Sequence, residues 1–251
     1  MKTSRIIVRM LLAVTLAGSG LMARAAEIAV ISTVAHKDAY IEMMPAFERA
    51  SGHKVVTQWV PTVEVLRRIK AGEATDLVLM VASGIDELTK VGKIESGSGV
   101  PFVKSGIGIA VRAGAPRPDV SSADAFRRTL LAAKSVAYST GPSGNYLAGL
   151  FERMGIAAEI KAKVRVTQGE PVGNFVARGE AEIGFQQIPE ILPVKGIDYL
   201  GPLPPDIQYI TTFSAGIHAA AKQPEAARAL IKFLKAPEAA AFYKKHGLEP
   251  S

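Results

Sequence analysis

"STGPSGNYLAGLFERMGI", Ser139–Ile156, is the stretch from which the rest of the chain can be read. Tyr146, Leu147, Leu150, Phe151 and Met154 recur at helical spacing and form one apolar face. Ahead of them stand Pro142, Ser143 and Gly144. Proline fits the first turn of a helix and bars a long continuation upstream, so the helix is expected to begin near Ser143. The first N–H groups of a helix have no intrahelical acceptor and carry a partial positive charge. With Gly144 leaving the backbone open to close approach, the turn is either a plain cap or a cradle for an anion.

Outward from this stretch, short apolar runs alternate with helical patterns. "EIAVIS" (27–32), "KVVTQW" (54–59), "DLVLMVA" (76–82), "IGIAV" (107–111), "SVAY" (135–138), "VRVT" (164–167), "EIGFQQ" (182–187) and "YITTFSAGIHA" (209–219) read as strands. Helices between most of them predict α/β layering with largely parallel sheets. Pro45, inside "YIEMMPAFERASG", is expected to kink a helix or mark its late start. Near the C-terminus, Lys244, Lys245 and His246 precede Gly247, a basic last turn closed by a glycine. "ESGSGVPF" (95–102) reads as a passage between two lobes, or as an ordinary surface loop.

The first 25 residues have a basic start (Lys2, Arg5, Arg9), an apolar centre and an Ala23-x-Ala25 ending, the pattern of a cleaved secretory signal. The apolar run is too short to span a bilayer. The chain carries a net charge of +7; loss of Lys2, Arg5, Arg9 and Arg24 with the leader brings it to +3. The remaining charges are scattered, with no basic stripe, so nucleic acid is not an expected partner. There is no cysteine, which excludes disulfides, thiolate metal sites, cysteine nucleophiles and a lipid-modified cysteine. An exported, untethered protein is expected in the periplasm.

Five stretches in order resemble the periplasmic solute-binding proteins of ABC transporters, and among them the molybdate-binding family. They are "MPAFERASGHKV", "LRRIKAGEATDLVLMVASGIDELTKVGKI", "PSGNYLAGLFERMGI", "ARGEAEIGF" and "ARALIKFLKAPEAAAFYKKHGLEP". The resemblance implies an α/β, two-lobed (type II) periplasmic-binding-protein fold with the ligand cleft between the lobes. The expected division is 1–25 signal peptide, 26–105 plus 218–251 first lobe, and 106–217 second lobe. It also implies a monomer, a small anionic ligand, an inner-membrane permease as partner, and neither cofactor nor metal.

Carried over by position, the resemblance gives a set of ligand-binding residues. Ser143 and Gly144 would donate backbone N–H groups, with Asn145 beside them; Thr62, ahead of "VEVLRRIKAG", would bind or simply cap. Gly169, in "TQGEP", sits at another backbone contact of the family. Two positions depart from the pattern. Ala35 stands where the family has a Ser, and Gln187 stands where it has a Tyr. A carboxamide accepts as well as donates, which suits a ligand with hydroxyl or protonated groups better than a bare tetrahedral oxyanion.

No G-x-S-x-G elbow or phosphate loop is present, and the four histidines have no paired metal-ligand spacing. His36 is the one histidine at a ligand position of the family; it is either a first-turn surface residue or a general base in the cleft. Arg112 is read as a solvated strand end, or as a charged partner of the ligand. The leading expectation is therefore a carrier of a molybdate-like oxyanion or small carboxylate rather than an enzyme. The alternative is a cofactor-free isomerase of an unsaturated tricarboxylate such as aconitate, an activity known among proteins resembling this family. His36 would be its base, with Thr62, Ser143 and Gly144 as clamps.

Overall fold

A computed structural model describes residues 25–251; the expected signal peptide, save Ala25, lies outside the described residues. The chain begins with β1 (Glu27–Ser32), α1 (Lys37–Ser51), β2 (Lys54–Trp59), α2 (Thr62–Lys70), β3 (Leu77–Val81), α3 (Ala82–Lys90) and β4 (Val100–Ser105). It passes to β5 (Ile107–Arg112), α4 (Ala123–Ala132), β6 (Val136–Ser139), α5 (Pro142–Arg153), α6 (Ala157–Lys161) and β7 (Val164–Thr167). Then come α7 (Val172–Ala177), β8 (Ile183–Gln187), α8 (Ile188–Ile191) and β9 (Ile197–Pro202). It returns through β10 (Thr211–Ile217), α9 (Pro224–Leu234), α10 (Ala239–Lys245) and β11 (Glu249–Pro250).

Two sheets result, in the orders β11-β4-β10-β3-β1-β2 and β7-β6-β8-β5-β9. Both are mixed rather than largely parallel. β1 runs parallel to β2 and β3, and β6 to β7 and β8, whereas β10, β5 and β11 pair antiparallel with their neighbours. Helices cover both faces of each sheet, the two-sided arrangement that buries near-continuous apolar strands such as β3. In the second sheet Phe126, Leu147, Phe151 and Phe185 pack into one core. Burying a side chain of that size contributes roughly 1.5–3 kcal/mol.

Three expectations change here. The passage between sheets is the single residue Gly106, between β4 and β5, and not the 95–102 stretch, whose last residues already belong to β4. The return crossing comes before Thr211 rather than after Ile217, because β10 pairs with β3 and β4 in the first sheet. Helix α1 runs through Pro45, which rules out the late start there, and ends at Gly52, whose left-handed φ of 73° lets its N–H donate to the Glu48 carbonyl at 2.9 Å.

Helix α5 begins at Pro142 with Gly141 as its cap. Gly144 is where this helix meets β6: a Cβ there would stand 1.6 Å from the Ser139 carbonyl oxygen and 2.9 Å from the Tyr138 ring. No rotamer relieves a clash with backbone. Gly144→Ala should therefore cost more than ~2 kcal/mol of folding stability, read by urea denaturation without any ligand.

Candidate functional site

A cavity of about 420 Å³ opens where loops from both sheets converge, within the ~300–1,000 Å³ usual for small-molecule sites. The β1–α1 loop contributes Thr33 and Ala35 and the first turn of α1 Lys37 and Asp38; the end of β2 contributes Trp59 and the start of α2 Thr62. From the second sheet, the β6–α5 turn brings Ser139 to Ser143, the β7–α7 turn Thr167, Gly169 and Glu170, the end of β8 Gln186 and Gln187, and the short α8 Glu190. Three helices of nine or more residues, α1, α2 and α5, thus begin at its wall, as do the short α7 and α8. Each start carries roughly half a positive charge and unpaired N–H groups, a setting that favours anions.

Of the residues expected to bind ligand, Ala35, Thr62, Ser143, Gly169 and Gln187 line this cavity. Gly144 does not; it is packed behind the wall against β6. Asn145 lines a neighbouring groove together with Tyr146 and Tyr209. Thr62 is not a cap, since Pro61 holds that position; its hydroxyl pairs with the Thr33 hydroxyl at 2.8 Å. Gln187 is buried at the junction of the sheets. With its nitrogen toward Ser105 it donates to Ser105 Oγ at 2.8 Å, and its oxygen accepts from the Thr211 hydroxyl at 2.8 Å. It reads as a latch across the junction as much as a ligand donor.

His36 is neither on the surface nor in the cleft. It is 1 % exposed, bonded through Nε2 to Ser32 Oγ at 2.9 Å and ringed edge-on by Trp59, Phe102 and Phe213. Burial drives its pKa down to about 3, so it stays neutral and cannot offer an imidazolium to a carboxylate. Phe102 and Phe213 come from β4 and β10, far along the chain, which is why a local reading missed this burial.

Sequence reasoning also missed Thr167, Gln186 and Glu190. Thr167 is 1 % exposed, lines the cavity, and its hydroxyl has no partner among the described residues. A buried hydroxyl without a bond is costly, and a ligand polar atom would complete it. Glu190 accepts a hydrogen bond from Gln186 Nε2 at 2.7 Å, and burial raises its pKa to about 7. A carboxyl group that changes charge near neutrality can take and return a proton. The one local signal was "IPEI", an acid framed by isoleucines and proline right after a buried strand. Glu170 differs: Arg178 Nη1 holds it at 2.5 Å and keeps its pKa below the usual carboxylate value.

Comparison with known proteins agrees with this geometry. The model of the family described as bacterial extracellular solute-binding protein matches residues 28–249. The chain belongs to that family. It is 42% identical over 215 residues, 83% of this chain and 82% of the relative, to an aconitate isomerase of Pseudomonas sp. It is 27% identical over 243 residues, 92% of this chain and 94% of the relative, to the molybdate-binding protein ModA of Azotobacter vinelandii. Among solved structures, the Azotobacter vinelandii periplasmic molybdate-binding protein superposes with a TM-score of 0.72 at 18% identity, covering 89% of this chain and 98% of that one. The sulfate-binding protein SubI of Mycobacterium tuberculosis H37Rv gives 0.72 at 19%, covering 90% and 87%.

The fold is accordingly the two-lobed type II arrangement, and fold and family together make this a protein that captures a small polar or anionic ligand. Family membership supports a location outside the cytoplasm and implies a membrane permease as partner. The isomerase relative overturns the expectation of a carrier rather than an enzyme.

Buried His36 and half-buried Glu190 leave opposite marks on stability. Between about pH 4.5 and 7 the folded state holds a proton on Glu190 that the unfolded chain has lost, so its contribution falls as pH rises. Between about pH 3 and 6.5 the unfolded chain holds a proton on His36 that the folded state lacks, so its contribution rises with pH. Each slope is at most ~1.4 kcal/mol per pH unit. Where the windows overlap, Glu190→Gln should make the melting temperature climb with pH more steeply than in wild type, and His36→Leu should flatten or reverse it. Calorimetric melting from pH 4.5 to 6.5 checks both.

Proposed function

We propose that this protein is an isomerase of a small unsaturated tricarboxylate of the aconitate type, working in the periplasm after removal of residues 1–25. The observation that carries this reading is the 42% identity to an aconitate isomerase over more than four fifths of both chains. The cleft supports it. The starts of α1, α2 and α5 offer positive ends for carboxylates, Lys37 adds a cation, and the Thr62, Ser143 and Thr167 hydroxyls add donors. The replacement of two family hydroxyl positions by Ala35 and Gln187 supports a ligand other than a compact oxyanion.

The reaction on this reading is an allylic proton shift. A proton leaves the methylene carbon, the freed electron pair forms the new double bond to the central carbon, and the old double bond takes a proton at its far end. Atoms and electrons balance without any co-reactant. Charge spreads onto the flanking carboxylates in the transition state, where fixed helix-end N–H groups are already oriented to meet it.

Incubation with cis-aconitate, followed by proton NMR, should show trans-aconitate appearing, and the reverse experiment should reach the same mixture. Unchanged spectra over hours with both isomers would contradict the isomerase reading. Thr167→Val removes a hydroxyl that has no partner among the described residues. It should leave folding stability equal or slightly higher while weakening tricarboxylate binding about tenfold, ~1.4 kcal/mol, by titration calorimetry.

A further inference from the structure

We propose that Glu190 is the proton carrier of this isomerase, removing the proton from one carbon and returning it to the other, and that Gln186 is its positioning residue; the inference rests on the isomerase reading. Three carboxyl groups line the cavity, and their surroundings separate them. Glu170 is held in an ion pair by Arg178. Asp38 stands exposed on the first turn of α1. Glu190 has no ion pair among the described residues, and its one hydrogen bond comes from a neutral amide. The elements that pack most extensively on α8 are β5, β8 and α7, whose one charged side chain is Arg112, at the end of β5 away from Gln187; the turn at Gly247, preceded by Lys244, Lys245 and His246, also lies against Ile188 and Leu192. Lys37, Asp38 and Glu170 share the cavity but make no hydrogen bond to it.

The orientation of Gln186 is forced. Its Oε1 accepts from the Val172 N–H at 2.8 Å, and a backbone N–H can only donate. The Gln186 nitrogen must therefore face Glu190, where it donates to Oε1 at 2.7 Å. Glu190 Oε2 receives no bond within the described residues and is left for the substrate. This fixes one oxygen, aims the other, and links the base to the start of α7.

The step balances on this one group. Ionised Glu190 takes the methylene proton through Oε2, and the C–H electron pair becomes the new double bond. The old double-bond pair moves to the far carbon and collects the same proton from the now neutral Glu190, restoring the carboxylate. Because the base must begin ionised, burial that raises its pKa to about 7 places an acid limb near neutrality in kcat/KM.

The test compares wild type, Glu190→Gln, Glu190→Asp and Gln186→Leu, with cis-aconitate for turnover and the unreactive saturated propane-1,2,3-tricarboxylate for binding. Glu190→Gln should lower kcat at least about 10³-fold while the saturated analogue still binds within a few-fold, which also certifies the fold. Glu190→Asp, a shorter carboxylate that keeps the charge, should retain measurable turnover above the Gln variant. Gln186→Leu removes a donor that favours the ionised form, so the acid limb should move upward by about one pH unit, a change that a merely structural residue would not produce. Wild-type turnover with Glu190→Gln above a tenth of it would overturn the assignment and leave the isomerase reading standing. An acid limb unmoved in Gln186→Leu would overturn its positioning role. A wild type that binds the analogue but turns over neither isomer would overturn both the isomerase reading and this one.

Discussion

Both walls of the cleft hang from one seam. β4 ends at Ser105, β5 begins at Ile107, and Gly106 alone separates the two sheets. The seam is held by side-chain amides. Gln208 accepts from the Ile107 N–H at 2.9 Å and donates to the Ile107 carbonyl at 3.0 Å, and the Ile188 N–H donates to Gly106 at 3.0 Å. Gln187 adds the bonds to Ser105 and Thr211. A Cβ on residue 106 would stand 3.1 Å from the Gln208 amide, so a side chain at the crossing would push on the group that bonds Ile107. Because β8 and α8 leave this seam directly, Gln186, Gln187 and Glu190 are placed at the floor of the cleft by the same contacts that join the sheets.

On that floor the chain departs from a simple anion trap. Helix starts, threonines and serines supply donors, as in a site built for charge. Glu190 opposes them. A carboxyl group buried beside an anion site costs binding energy when ionised, and a purely capturing cleft has no use for it. Its pKa near neutrality, its single amide partner and its free oxygen make sense where a proton has to move. His36 shows the contrast: it is more deeply buried, sealed by aromatic rings, and held neutral as part of the core.

Much of the fold was legible because it is written locally. β1, β2 and β7 lie where alternation and β-branched residues place them, and α5 starts at the proline that announces it. β4 was hidden by the Gly and Ser residues before it and by Pro101 and Lys104 within it, and β9 by its Gly201 and Pro202 end. Its pairing with β5, not its composition, makes β9 a strand. In the site, Thr62 and Ser143 were placed by the family resemblance at helix starts, and both line the cavity although neither caps its helix. Gly144 was misassigned because the same glycine signal serves close helix–strand packing. Glu190 and Thr167 acquire their properties from burial made by distant elements, which no window of sequence contains.

The claim on which the account turns is that this cleft is shaped for three carboxylates and not for a tetrahedral oxyanion. Isothermal titration of the mature protein with propane-1,2,3-tricarboxylate, molybdate and sulfate, in one buffer near pH 7, tests it directly. The account predicts one tricarboxylate bound per chain and no heat of binding from either oxyanion. Saturable binding of molybdate or sulfate with the tricarboxylate inert would contradict it.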